Sequence, residues 1–198
     1  MRHRRTLLIM IAAAALLSWV AAPTSSAKLL EQEHYSFSVS HIEQEEHGDE
    51  FCPNVGFPVL FEGEVSGMLL VKTKGSGPFP YFADRFHLHD VYTNLENGKT
   101  FTLDTVSRFS DQSIVDNGDG TITITVKDTA RVHVYGPDGK RLFIDVGQIR
   151  FELLIDYNGT PDNPDDDIIL EEFDPIKVTG HAQTEGRDFC EDLEFFLG

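Results

Sequence analysis

The chain has 198 residues, 40% of them apolar and 15 of them Phe, which supplies one hydrophobic core, excludes a disordered chain and is too short for two comfortable domains. Asp and Glu number 33 against 16 Lys and Arg, a formal charge of −17. That sign argues against a nucleic-acid partner, because phosphate binding needs the opposite one.

Residues 1–5 are basic, residues 6–20 are almost uninterruptedly apolar, and Ser25, Ser26 and Ala27 form a small-residue cleavage site. Residues 1–27 therefore read as an export signal, since an apolar run of about 15 residues falls short of the roughly 20 needed to span a bilayer. Cleavage after Ala27 predicts a secreted protein with one domain, residues 28–198, and no later membrane span. The loss of Arg2, Arg4 and Arg5 leaves 13 basic against 33 acidic residues, a charge of −20.

The first strand signal is the alternation of Tyr35, Phe37 and Val39. The acidic run that follows, Glu43, Glu45, Glu46, Asp49 and Glu50, reads as a solvated loop. Within it His41 and His47 are six apart, the wrong interval for one helical face. Cys52 and Cys190 lie near the two ends of the domain, and in an exported chain they predict one disulfide; the rival is a reactive thiol, which needs a reduced Cys beside a base.

Val59, Phe61, Gly63 and Val65 predict a strand broken at Gly67, with a second strand at residues 68–71. From Phe82, the even positions Phe86, Leu88 and Tyr92 share one face. His87 and His89 share the other, where strand spacing projects both imidazoles together, and His133 is the strand-borne candidate for a third ligand to zinc or copper. Asn97-Gly98 and Asn117-Gly118-Asp119-Gly120 predict turns, and the second leads into a clean alternation of Ile122, Ile124 and Val126. Gly136-Pro137-Asp138-Gly139 turns the chain again, and Leu142, Ile144 and Val146 are expected to face inward until a bulge or bend at Gly147 shifts the parity to Ile149, Phe151, Leu153 and Ile155.

In residues 156–167, Asp156, Asn158, Asp162, Asp165 and Asp167 place oxygen side chains in one loop. Calcium takes six to eight such oxygens, although the fixed glycine and late glutamate of an EF-hand are missing, and an acidic loop of turn formers accounts for the same residues. Asn158-Gly159-Thr160 is also a glycosylation sequon. Pro175 interrupts a strand pattern that runs from Ile168 to Val178, as suits a sheet edge. Phe189, Leu193, Phe196 and Leu197 fit a short closing helix capped by Asp188.

Nine to ten short strands joined by hairpin turns, without a long helix, predict one all-β antiparallel sandwich or barrel-like domain. The stretches around residues 116–121, 147–156, 158–162 and 186–190 resemble small secreted proteins of high-GC Gram-positive bacteria. That resemblance implies secretion and fold, and it brings no activity, cofactor or catalytic residue. The chain contains no Gly-x-Ser-x-Gly elbow, no phosphate-cradling glycine loop and no Cys-x-x-Cys. The expectation is a non-enzymatic binding domain that takes a small apolar ligand or an envelope partner. The alternatives are a hydrolase or isomerase built on carboxylates or on His87 and His89, and an interaction module stabilised by calcium.

Overall fold

The computed structural model describes residues 27–198 of the chain. The predicted signal lies outside them except for Ala27. No helix among the described residues is long and apolar enough to cross a membrane.

Eight strands build one curled antiparallel sheet: β1 (Lys28–Ile42), β2 (Val59–Thr73), β3 (Tyr81–Asn94), β4 (Thr100–Asp116), β5 (Thr121–Tyr135), β6 (Arg141–Asp156), β7 (Ile168–Glu172) and β8 (Lys177–Ala182). They follow one another as a meander from β1 to β6, and β6 then receives both β7 and β8 along its outer side. The sheet is barrel-like in its curl and stays open. Among the described residues nothing pairs with the outer edge of β1. The helix α1 (Glu43–His47) follows β1, and α2 (Phe189–Leu197) follows β8.

The count is eight because glycines expected to break strands lie inside continuous ones. β2 runs through Gly67, where a Cβ would sit 2.3 Å from the Tyr35 ring of β1. Tyr35 crosses that gap to donate from its hydroxyl to Asp84 Oδ2 at 2.8 Å, so the glycine makes room for a neighbour and not for a bend. Gly147 likewise pairs in register with Ala130, and no bulge occurs there. The irregularity of that hairpin lies between Val134 and Tyr135, beside the turn, so Phe143 and not Ile144 or Val146 shares the face of Val134. β8 approaches closely at Gly147: a Cβ there would meet Thr179 O at 3.2 Å, and one on its partner Gly180 would sit 2.3 Å from Val146 O.

Alternation gives the sheet one face rich in apolar side chains. Its core divides into two clusters. At one end Val59, Phe101 and Val134 are buried with Cys52, Val55, Leu193 and Leu197; at the other Ile122, Ile124, Val126 and Ile155 pack with Phe79. The first cluster exists because α2 lies across it. Asp188 caps that helix by accepting from Glu191 N–H at 3.0 Å, as its sequence position predicts. At the other end, the Leu197 carbonyl accepts from Asn94 Nδ2 at 3.0 Å and from Asn97 Nδ2 at 2.8 Å. Cys52 and Cys190 are disulfide-bonded, their Cα atoms 5.0 Å apart, which ties α2 to the loop after α1. The interruption at Pro175 also falls as predicted, dividing one sheet edge into β7 and β8.

Two consequences are measurable. A loop closed over 138 residues is worth about 5 kcal/mol in the chain-entropy model. Cys52→Ser with Cys190→Ser should cost about 3–5 kcal/mol and lower Tm by on the order of 10 °C in a thermal melt. Asp111, beside the register shift of β4, accepts from Phe82 N–H at 2.7 Å, yet burial dominates and raises its pKa from 3.8 to about 6. Between those values the folded state binds the extra proton, so Asp111 makes stability fall as pH rises from 4 to 6. The full change is about 3 kcal/mol, of which about 2 kcal/mol falls between pH 4 and 6, and Asp111→Asn should remove it in urea titrations across that pH range.

Candidate functional site

The face of the sheet opposite α2 carries a row of cations assembled by register. Arg85 of β3 stands directly across from Arg108 of β4, and Arg108 across from Thr129 of β5. Lys127 and Arg131 flank Thr129 two residues to either side and therefore share its face. Lys127 pairs with Arg150 of β6, and Arg150 pairs with Lys177 of β8. Five strands at about 4.8 Å spacing thus carry six basic side chains over about 19 Å. Arg85, Arg108 and Arg131 line one shallow depression of about 280 Å³ together with Val106, Thr129 and Val146.

None of the six is in a salt bridge among the described residues. Side-chain ion pairs are made instead by Lys140 with Asp138 and by Arg187 with Asp192. The Arg150 Nε is buried without a hydrogen-bond partner. Two carboxylates of the same face have other contacts: Asp104 touches His87, and Glu152 accepts from Thr125 Oγ1 at 3.4 Å. Like charges placed opposite one another across two strands destabilise a sheet. Arg85 and Arg108 bear that cost unneutralised, and a guanidinium fork matches phosphate and carboxylate oxygens.

The predicted metal ligands behave differently from one another. His87 and His89 do project from one face, and both turn to Asp104: His87 Nε2 touches Asp104 Oδ1, and His89 Nδ1 lies 3.9 Å from it. His133 stands across from Asp104 in register but takes a 3.2 Å hydrogen bond with the Tyr135 hydroxyl. In the acidic loop, Asp156 Oδ1 accepts from Asn158 N–H at 2.9 Å, and Thr160 Oγ1 donates to Asp166 at 2.8 Å. Asp162 and Asp165 are exposed. Burial, then the charges of Asp166 and Asp156, holds the Asp167 carboxyl above its usual range. No three carboxylates of that loop bring oxygens within 4.8 Å of one another among the described residues.

One group of three donors does come that close together, and it lies in the stretch expected to be a solvated loop. His41 at the end of β1 and His47 at the end of α1 converge on Glu43, which is only 5% exposed. The six-residue interval argues only against a shared helical face. His41 belongs to a strand, and the corner between β1 and α1 brings its ring back toward the helix.

A cavity of about 440 Å³ lies beside β8, where the apolar face is thinly filled by Ala130, Gly147 and Gly180 between the two core clusters. Val132, Ile149, Val178 and Ala182 give it apolar walls, and Asp128, Asp145 and His181 stand among its polar lining.

No family model matches the chain, and neither a curated protein nor a solved structure matches it.

Proposed function

We propose that this chain is an exported, non-enzymatic β-domain that docks a linear anionic polymer of the cell envelope or extracellular space across the face carrying Arg85, Arg108, Lys127, Arg131, Arg150 and Lys177. The observation that carries the reading is the row of cations, none of them in a salt bridge among the described residues, in a chain whose acidic residues outnumber its basic ones 33 to 16. Such a composition supplies ample carboxylates for pairing, so a row left unpaired is matched to charge from outside. The acidic remainder of the surface repels a broad anionic surface, but at about 0.1 M salt that repulsion is screened beyond roughly 10 Å. A single polymer strand following the row meets the cations and avoids the rest. Cys52–Cys190 suits an oxidising compartment, in keeping with the signal read at residues 1–27.

Polyphosphate and polygalacturonate serve as phosphate and carboxylate probes in titration calorimetry. Binding to at least one of them is expected, weakening steeply between about 50 and 200 mM salt. Arg85→Ser with Arg108→Ser should weaken it at least about tenfold while leaving stability unchanged or raised, because a like-charge contact is removed. Absence of binding at low salt, or equal binding by the double variant, rejects the reading.

A second reading rests on the cavity beside β8, whose size falls in the range of sites for small molecules and whose walls are largely apolar. It makes the domain a carrier of a small apolar ligand. Ala130→Phe fills the cavity, and it should reduce binding of an apolar fluorescent dye at least about tenfold at unchanged Tm; an unaltered dye titration rejects the carrier role.

A further inference from the structure

We propose that His41, Glu43 and His47 form a zinc site with one coordination position open to solvent. The site is independent of the basic row and of the cavity beside β8.

The geometry carries the inference. Glu43 Oε2 lies 3.6 Å from His41 Nε2 and 3.5 Å from His47 Nε2, and the three donor atoms all fall within 4.8 Å of one another. Direct imidazolium–carboxylate hydrogen bonds are shorter, about 2.7–2.9 Å, so neither contact is one. Both separations are close to the edge of a zinc coordination tetrahedron, where bonds of about 2.0–2.1 Å place neighbouring donors about 3.3–3.4 Å apart. The burial of the donors adds a second, separate argument. His41 Nε2 is shielded from solvent and has no hydrogen-bond partner, while the Glu43 side chain beside it is only 7% exposed. An imidazole nitrogen and a carboxylate oxygen facing the same buried point without a proton shared between them are the arrangement a divalent cation satisfies.

The surroundings hold these donors in place. Helix α1 has five residues and no side-chain cap, too short to stand alone, and Gln44 fastens it to the start of β2. Its Nε2 donates to Phe57 O at 3.0 Å, and its Oε1 accepts from Val59 N–H at 3.0 Å. The ring of Phe61 lies 5.1 Å from that of His41, and Tyr92 lies 5.1 Å beyond Phe61, forming an aromatic wall on the protein side. His47, at 53% exposure, marks the solvent side. Two imidazoles and one carboxylate are borderline donors that suit zinc better than the hard cations, and three protein ligands leave the fourth position for water.

The test uses the mature, untagged, disulfide-bonded chain, titrated with zinc against a chromogenic chelator. One zinc per chain is expected, with visible absorption of low-symmetry Co²⁺ when cobalt replaces it. His47→Ala removes a half-exposed side chain and should leave the melt without metal unchanged while weakening zinc at least about tenfold, the scale on which even outer partners of a metal act. Glu43→Gln should do the same if it folds. His87→Ala with His89→Ala should bind as the parent does. Absence of stoichiometric zinc, equal affinity in His47→Ala, or loss of zinc in the His87 and His89 double variant would each overturn the proposal.

Discussion

A single curled sheet has an apolar face and must find something to lay against it. Here nine residues of helix cover one end. Leu193 and Leu197 are fully buried on the sheet, and burying two such side chains is worth about 3–6 kcal/mol. The contact is held by the disulfide at the start of α2 and by two asparagine side chains at its last carbonyl. Everything else about the face follows from where the helix stops. The far end builds a separate cluster from β-branched residues and Phe, and the middle, lined by Ala130, Gly147 and Gly180, is left thinly filled.

The same alternation that gives the helix its landing surface sends the basic residues to the opposite face. Net charge is a sum and conceals this arrangement. The sign of the whole chain points away from anionic partners, whereas the register of five strands collects six cations on one side. The carboxylates are meanwhile spread over loops such as residues 162–167, over β7 and over the turns at Asp119 and Asp138. At those two turns hydrogen bonds hold the carboxyls below their usual range: from Thr121 to Asp119, and from Lys140 to Asp138. They are charges used locally to fasten hairpins.

Features set by neighbours along the chain were legible in the sequence. The turns at Asn97-Gly98 and at residues 117–120, the alternation of β5, the Asp188 cap and the broken edge at Pro175 all depend on residues a few positions apart. What depends on other strands was not. Gly67 looks the same to sequence inspection whether it ends a strand or clears space for Tyr35, and only the pairing of β1 with β2 distinguishes them. The same degeneracy suggested a bulge or bend at Gly147, where the glycine instead lies in register under β8. The convergence of His41 and His47 is hidden because a six-residue spacing excludes only a shared helical face, while the two residues occupy a strand and a helix joined at a corner. Nor could any local pattern reveal that Arg85 faces Arg108, since that contact is decided by the length of the β3–β4 hairpin.

The meander has a further consequence for the order in which this molecule can assemble. From β1 to β6 each strand pairs with the one synthesised just before it, so the sheet can grow by successive hairpins with little loop to close. The cluster beneath α2 obeys a different timetable. Cys52 is made early and Cys190 after every strand, so its thiol waits while the whole sheet is laid down. Until the helix docks, Val59, Phe101 and Val134 are without their cover. The final step is therefore a long-range closure, and a chain stalled before it is a nearly complete sheet with one end of its greasy face bare. Such a species is a natural substrate for chaperones and proteases.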